Sequence, residues 1–189
     1  DQAGLGNSAG EYLDANAVGV TQSGNQGMSS IVQRGSQQSA YVEQLSTSEF
    51  ARSDIDQGGI FGAGHSASVV QAGLSVESEI KQRGYGQTAT VFQSGEENSS
   101  LIDQGAAGGS SHLADVSQTG STNFSDILQR GDAKTAPGLQ SGSGNESLID
   151  QSGSDNVATV TQTDMNSMST VTQNGSNNSA VVNQGPAGM

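Results

Sequence analysis

Glutamine recurs in this chain at a spacing that suits one kind of chemistry, hydrogen bonding to further copies of the same side chain. The positions are Gln22, Gln33, Gln44, Gln57, Gln71, Gln82, Gln93, Gln104, Gln118, Gln129, Gln140, Gln151, Gln162, Gln173 and Gln184. Eleven of the fourteen intervals are 11 residues, and the other three are 13, 14 and 14. A carboxamide carries two donors and an acceptor, so a row of them stacked at strand spacing satisfies itself. Other chemistry finds little support. The absence of cysteine excludes a disulfide framework and a thiolate metal site. Serine is so frequent that any Ser-His-Asp set is chance, and neither a nucleophile elbow nor a P-loop is present. The Asp-rich nonapeptide of calcium β-rolls is missing too. Asn-x-Ser triplets at Asn98, Asn123 and Asn145 arise wherever an Asn position precedes a Ser position in the repeat, so they are poor glycosylation candidates. No catalytic, cofactor or metal site is expected.

The residues around each glutamine show what must position it. Two residues earlier stand Val20, Ile31, Val42, Ile55, Val69, Ile80, Val91, Ile102, Val116, Ile127, Gly138, Ile149, Val160, Val171 and Val182. Four residues earlier, from Ser29 to Ala180, serine and alanine take strict turns, so the true period is about 22 residues made of two unlike halves. Six residues earlier there is often asparagine: Asn16, Asn98, Asn123, Asn145, Asn156 and Asn178. Two residues later there is usually glycine, which marks a turn. Each half reads N-x-[A/S]-x-[V/I]-x-Q-x-G. Its special positions are two apart, the side-chain period of a strand, so all of them point to one face. A helix is excluded, because that spacing scatters around a helical wheel.

Composition alone argues the other way. Only 31% of residues are hydrophobic and 4% aromatic, a mixture that without long-range order would be disordered. One Val or Ile per half contributes roughly 1.5–3 kcal/mol on burial. Ordering about 11 residues costs at least that much. A single repeat is therefore unstable and needs neighbours of its own kind. The expected fold is all-β: a β-solenoid of about 22-residue coils, with two parallel in-register sheets face to face, able to stack into cross-β fibres. Ser should meet Ser in one sheet and Ala meet Ala in the other, with Asn and Gln forming amide ladders inside. Residues 16–185 hold the fifteen half-repeats, 1–15 form a non-repeat N-terminal segment, and 186–189 a short tail. Residues 45–53, 58–64 and 105–111 look like lengthened turns, and 134–140, with Pro137 and Gly138, is the weakest half.

His65 and His112 occupy the Asn position six residues before a glutamine. With one half between them in the same sheet they fall roughly 10 Å apart at ~4.8 Å per strand. That is too far to share a metal and suits a structural role at a turn. The net charge of −13 leaves no basic footprint for nucleic acid and no attraction to an anionic membrane. No apolar run approaches the roughly 20 residues of a membrane helix. Residues 1–10 have neither a basic start nor an apolar stretch, so any signal peptide is expected to have been removed.

Fifteen successive N-x-[A/S]-x-[V/I]-x-Q-x-G units resemble the curlin repeat, found in subunits of bacterial curli fibres. The resemblance implies an amyloid structural subunit of the biofilm matrix, exported unfolded through an outer-membrane channel and assembled outside the cell with a nucleator subunit. It also implies that 1–15 serve secretion targeting. The chain departs from the familiar five-unit subunits in having more repeats and more acidic charge. A nucleator's last repeat tends to be basic, whereas residues 156–185 carry Asp164 as a lone charge within the run. The major subunit is therefore favoured, with the nucleator as the alternative. Self-mating is expected through the end strands: Asn16, Val18, Val20 and Gln22 on one side, and Ser169, Val171, Gln173, Asn178, Ala180, Val182 and Gln184 on the other. The tail Gly185–Met189 is too short to cover two strands. Outward acids such as Asp54, Asp56, Glu77, Glu79, Asp103, Asp115, Asp126 and Asp150 would hold fibres apart, or simply form a solvated face. A soluble ligand- or ice-binding solenoid is the reading from another class. Ice binding needs Thr-x-Thr stacked on one sheet, and Thr159/Thr161 and Thr170/Thr172 fall on opposite sheets.

Overall fold

A period-two pattern whose inner positions repeat every 22 residues leaves one economical solution, alternate halves pairing in two separate sheets. The computed structural model, which describes residues 8–12, 17–105 and 109–185, has that form. Its sixteen strands, β1 to β16 in chain order, divide into two eight-stranded parallel sheets. The odd sheet holds β1 (Ser8–Tyr12), β3 (Met28–Ser36), β5 (Arg52–Ala63), β7 (Glu77–Gln82), β9 (Ser99–Gln104), β11 (Phe124–Asp132), β13 (Glu146–Ser154) and β15 (Met168–Gln173). The even sheet holds β2 (Ala17–Gln22), β4 (Ser39–Gln44), β6 (Ser66–Leu74), β8 (Thr88–Glu96), β10 (Leu113–Ser121), β12 (Thr135–Ser143), β14 (Val157–Gln162) and β16 (Ser179–Gln184). Two strands make one coil, and the chain is an all-β solenoid.

The register stacks like on like. Ser100, Ser125, Ser147 and Ser169 align in the odd sheet, and Ala67, Ala89, Ala114 and Ala136 in the even one. The β-branched residues sort in the same way. From β3 to β13 the odd sheet carries only isoleucine, and the even sheet valine apart from Gly138. Serine is thus matched with the larger apolar neighbour, and these columns are the buried core. Hydrophobic burial and the backbone ladder reinforce each other at every coil, which is why so lean a composition folds.

Corners differ from the expectation that glycine ends each strand. Gly120 and Gly142 lie inside β10 and β12 with φ near +100°, and a Cβ on Gly120 would stand 1.9 Å from the Gly142 carbonyl oxygen. Only glycine fits, and it bends the strand without ending the ladder. The corner itself comes two residues later, at a second left-handed position occupied by Gln26, Ser75, Thr122, Ala133, Asp155 or Asn177. Residues 58–63, expected in a lengthened turn, are drawn into β5, and the β3–β5 register shifts between Arg34 and Ser36 to absorb them. Ser8–Tyr12 forms a strand on β3 with Glu11 at the register position of Ile31, so a strand lies outside the fifteen half-repeats. The weak half still forms β12, but its pairing with β14 skips Ala136 and Pro137.

Charge is distributed unequally. The ion pairs Arg34–Asp56, Arg52–Asp54, Arg52–Glu77, Lys81–Glu79, Arg83–Asp103 and Arg130–Asp150, at 2.5–3.0 Å, all lie along the odd sheet. Exposed pairs of this kind contribute about 0–1 kcal/mol each. Their consequence is that one face of the solenoid is charged.

Candidate functional site: carboxamide ladders and solenoid ends

Every ladder glutamine sits last in its strand core, facing inward, because a strand places residues two apart on one side. In the even sheet each Nε2 donates to the Oε1 of the next glutamine, from Gln22 through Gln44, Gln71, Gln93, Gln118, Gln140 and Gln162 to Gln184, at 2.8–3.1 Å. The odd sheet repeats this from Gln33 through Gln57, Gln82, Gln104, Gln129 and Gln151 to Gln173, at 2.8–3.0 Å. The second Nε2 hydrogen crosses between sheets. Gln118 donates to the Ser99 carbonyl at 2.9 Å, Gln140 to Phe124 at 2.8 Å and Gln184 to Met168 at 2.8 Å. Each amide therefore ties a coil to its successor and one sheet to the other. Every ladder bond points the same way, donor on the N-terminal side, so the solenoid is chemically polar along its axis.

The asparagines act differently from the expected side-chain ladder. Asn98, Asn123, Asn145 and Asn156 donate Nδ2 to the carbonyl four residues back, and Asn98, Asn123 and Asn156 also to a carbonyl on the next coil. Among the described residues Asn123 and Asn145 accept no side-chain amide; the Oδ1 of Asn98, Asn123 and Asn156 receives instead the backbone N–H of Asn123, Asn145 and Asn178, at 3.0–3.1 Å. The shorter asparagine closes the corner rather than bridging side chains. Asn178 bonds only the Asn174 carbonyl through its Nδ2 among the described residues.

The end strands hold the inner columns partly open. Val18 and Val20 are half-buried, with Gln22 buried behind them, while Asn16 lies outside the described residues. At the other end Ser169, Val171 and Gln173 are buried, but Asn178, Ala180, Val182 and Gln184 are half-buried where the same positions of β14 are fully enclosed. The remaining apolar ladder members, Ile31, Val42, Val69, Ile80, Val91, Ile102, Ile127, Ile149 and Val160, are enclosed in the core.

One group in the asparagine column is not flagged by the sequence reading. Lys134 is fully buried and donates Nζ to the Asp132 carbonyl at 3.1 Å and to the Gly153 carbonyl. Its signal is positional: it stands six residues before Gln140, where an ammonium imitates the asparagine amide. Beside it in the even sheet His112 is buried, with neither ring nitrogen hydrogen-bonded among the described residues. Burial first, and then the Lys134 charge, push the His112 pKa down to about 4. His65, with Gln87 between it and His112, is shifted down by burial as well. Since the folded state holds these imidazoles neutral, the unfolded chain binds more protons between about pH 6.5 and pH 4. Stability is therefore expected to fall as pH drops through that window. The urea midpoint should move less between pH 7.5 and 4.5 in His112→Asn, and an unchanged pH dependence would remove His112 from this role.

Residues 139–163 match the family model described as the curlin associated repeat. The matched stretch holds β13, β14 and the ladder members Gln140, Gln151 and Gln162. Residues 139–163 carry a curlin-type repeat. The match begins immediately after Pro137 and Gly138, where the β12–β14 pairing is interrupted. The same alternation of strands between the two sheets recurs from β2 to β16. No curated protein matches the chain.

Proposed function

We propose that this chain is the structural subunit of an extracellular curli-type amyloid fibre, growing head to tail through its solenoid ends. The observation that supports it most directly is the pair of one-way glutamine ladders, of which the even one runs from β2 to β16 and ends in a half-buried strand. Gln184 and Val182 of β16 match Gln22 and Val20 of β2 in type and spacing, and Ala180 stands where β2 has Val18. A second subunit seated there continues the even sheet as β14 continues into β16. Such a contact is heterologous and does not close, so it yields a filament rather than a ring. The uncharged final halves favour the major subunit over the nucleator. Export through a curli-type channel, a separate nucleator and a place in biofilm matrix and cell adhesion are proposed with it, on the resemblance to curlin repeats.

The test is to dilute the chain from denaturant at neutral pH and record fibre diffraction. Unbranched fibres with a meridional reflection near 4.7–4.8 Å and an equatorial one near 10 Å are expected. Monomers that stay soluble for days with β-type circular dichroism would point to a soluble binding solenoid instead.

A further inference from the structure

The two outer faces of the solenoid differ in chemistry. Across the six-residue stretch that ends at each ladder glutamine, the odd sheet presents Asp54, Asp56, Glu77, Glu79, Asp103 and more, laced with cations. The same stretch of the even sheet presents only Glu43 and Asp115 as outward charges. Both accept hydrogen bonds on their own face, Glu43 from the Tyr41 hydroxyl at 3.1 Å and Asp115 from the Thr90 hydroxyl at 2.5 Å. Between them Tyr41, Phe92, Leu113, Leu139, Val157 and Val181 stand 39–64% exposed. The odd face also exposes Met28, Phe124 and Met168, at the strand-start position that Leu113 and Val157 hold on the even face, but each of the three has a charged residue, Arg52 or Glu146, beside it in the register.

We infer that the even-sheet face is the lateral contact between two solenoids, so that the fibre is a pair of filaments joined even face to even face. This rests on the fibre reading above. The occupant is a second copy of this chain, for reasons of charge and area. Pairing odd face with odd face brings carboxylates together in a chain of net charge −13. Pairing odd with even strips water from charges without supplying partners. Even against even removes apolar surface from water and desolvates just Glu43 and Asp115 in that stretch, each already hydrogen-bonded by a hydroxyl on its own face. Eight strands about 4.8 Å apart, each contributing about 20 Å of length, give on the order of 750 Å² per copy, close to the roughly 800 Å² per partner of a stable interface. Head-to-tail growth makes the face continuous, so modest contacts add along the filament. The acids expected to hold fibres apart then do so on one side only, which limits association to two.

Mass per length measured by electron microscopy tests this. A chain of 19.0 kDa spread over eight coils gives about 5 kDa/nm for one filament and about 10 kDa/nm for a pair. Wild-type fibres are expected at the higher value. Phe92→Glu combined with Leu139→Glu, whose cross-strand neighbours are uncharged, should give fibres of half that mass. Met28→Glu, placed beside Arg52 on the odd sheet, should leave the mass unchanged. If the double variant does not assemble, Leu113→Glu alone carries the same test. Wild-type fibres at the single-filament value, or paired fibres in the even-face variants, would overturn the inference while the fibre reading stood. A wild-type chain that forms no fibres would defeat both.

Discussion

Gln118→Glu is expected to abolish cooperative folding and assembly at neutral pH. Gln118 is fully buried in β10, midway along the even ladder. Its Oε1 accepts from Gln93 at 2.9 Å, and its Nε2 serves both Gln140 Oε1, at 2.8 Å, and the Ser99 carbonyl. A carboxylate keeps the acceptor and turns both donor contacts into lone-pair repulsions, with a buried charge that has no cation. Leaving a buried charge uncompensated costs about 3–5 kcal/mol, against the 5–15 kcal/mol that holds a domain together. The same reasoning fixes the pH dependence. Desolvation raises the folded-state pKa of the new carboxyl above the ordinary value of about 4.3. The penalty is therefore complete above the folded-state pKa and fades as the pH falls towards the unfolded value. Relative to wild type at the same pH, the variant should recover below about pH 5. Gln118→Leu removes the bonds without adding charge and should fall between the two at pH 7, with no acid recovery. Urea midpoints and assembly half-times across pH 4–8 measure both. A Gln118→Glu protein that folds and assembles like wild type at pH 7 would mean that the ladder contributes little.

The ladder and the fold were legible because their signals are strictly periodic. Serine and alanine could alternate for fourteen halves only if odd and even halves stack separately, and the register shows that they do. Less was legible where the constraint is on backbone shape or on burial by neighbours. The left-handed corner accepts Gln26, Thr122 and Ala133 as readily as Asn177, so no residue type marks it. The asparagine column admits Gln38, Gln87 and Lys134, whose donors reach carbonyls on their own coil or the next, and it also encloses His65 and His112. A buried lysine therefore reads in sequence as an ordinary surface charge. Strand β1 lacks the inner-face pattern altogether, and its register puts glutamate opposite isoleucine. The unequal faces needed only the sorting of outward residues by odd and even half. That step has no meaning until the sheets are known to be separate.

Val181→Pro is expected to stop growth at one end of the fibre while leaving the subunit folded. The N–H groups of Val157 and Thr163 donate to carbonyls of the following coil, at Asn178 and Gln184. Alternate residues of a parallel strand donate to opposite neighbours, so Val181, four residues before Gly185 as Thr159 is before Thr163, aims its N–H away from β14. The chain contains its own precedent. Pro137 occupies the equivalent position, three residues before Gln140; β12 keeps its full register with β10 and loses pairing only on the β14 side. Proline at 181 thus disturbs no bond within the subunit but denies an incoming β2 a donor and adds a clash. About 3 kcal/mol is the cost of a misplaced proline, which weakens each added subunit about a hundredfold. The variant's other end is unchanged, so it still joins wild-type fibres and then blocks them. Substoichiometric Val181→Pro should therefore shorten fibres in a dose-dependent way, whereas a subunit that had merely unfolded would dilute them without capping. Thr159→Pro, the same change one coil inside, should destabilise the monomer instead. Growth of Val181→Pro at the wild-type rate, seen by time-resolved imaging of labelled fibres, would show that elongation does not pass through the β16 edge.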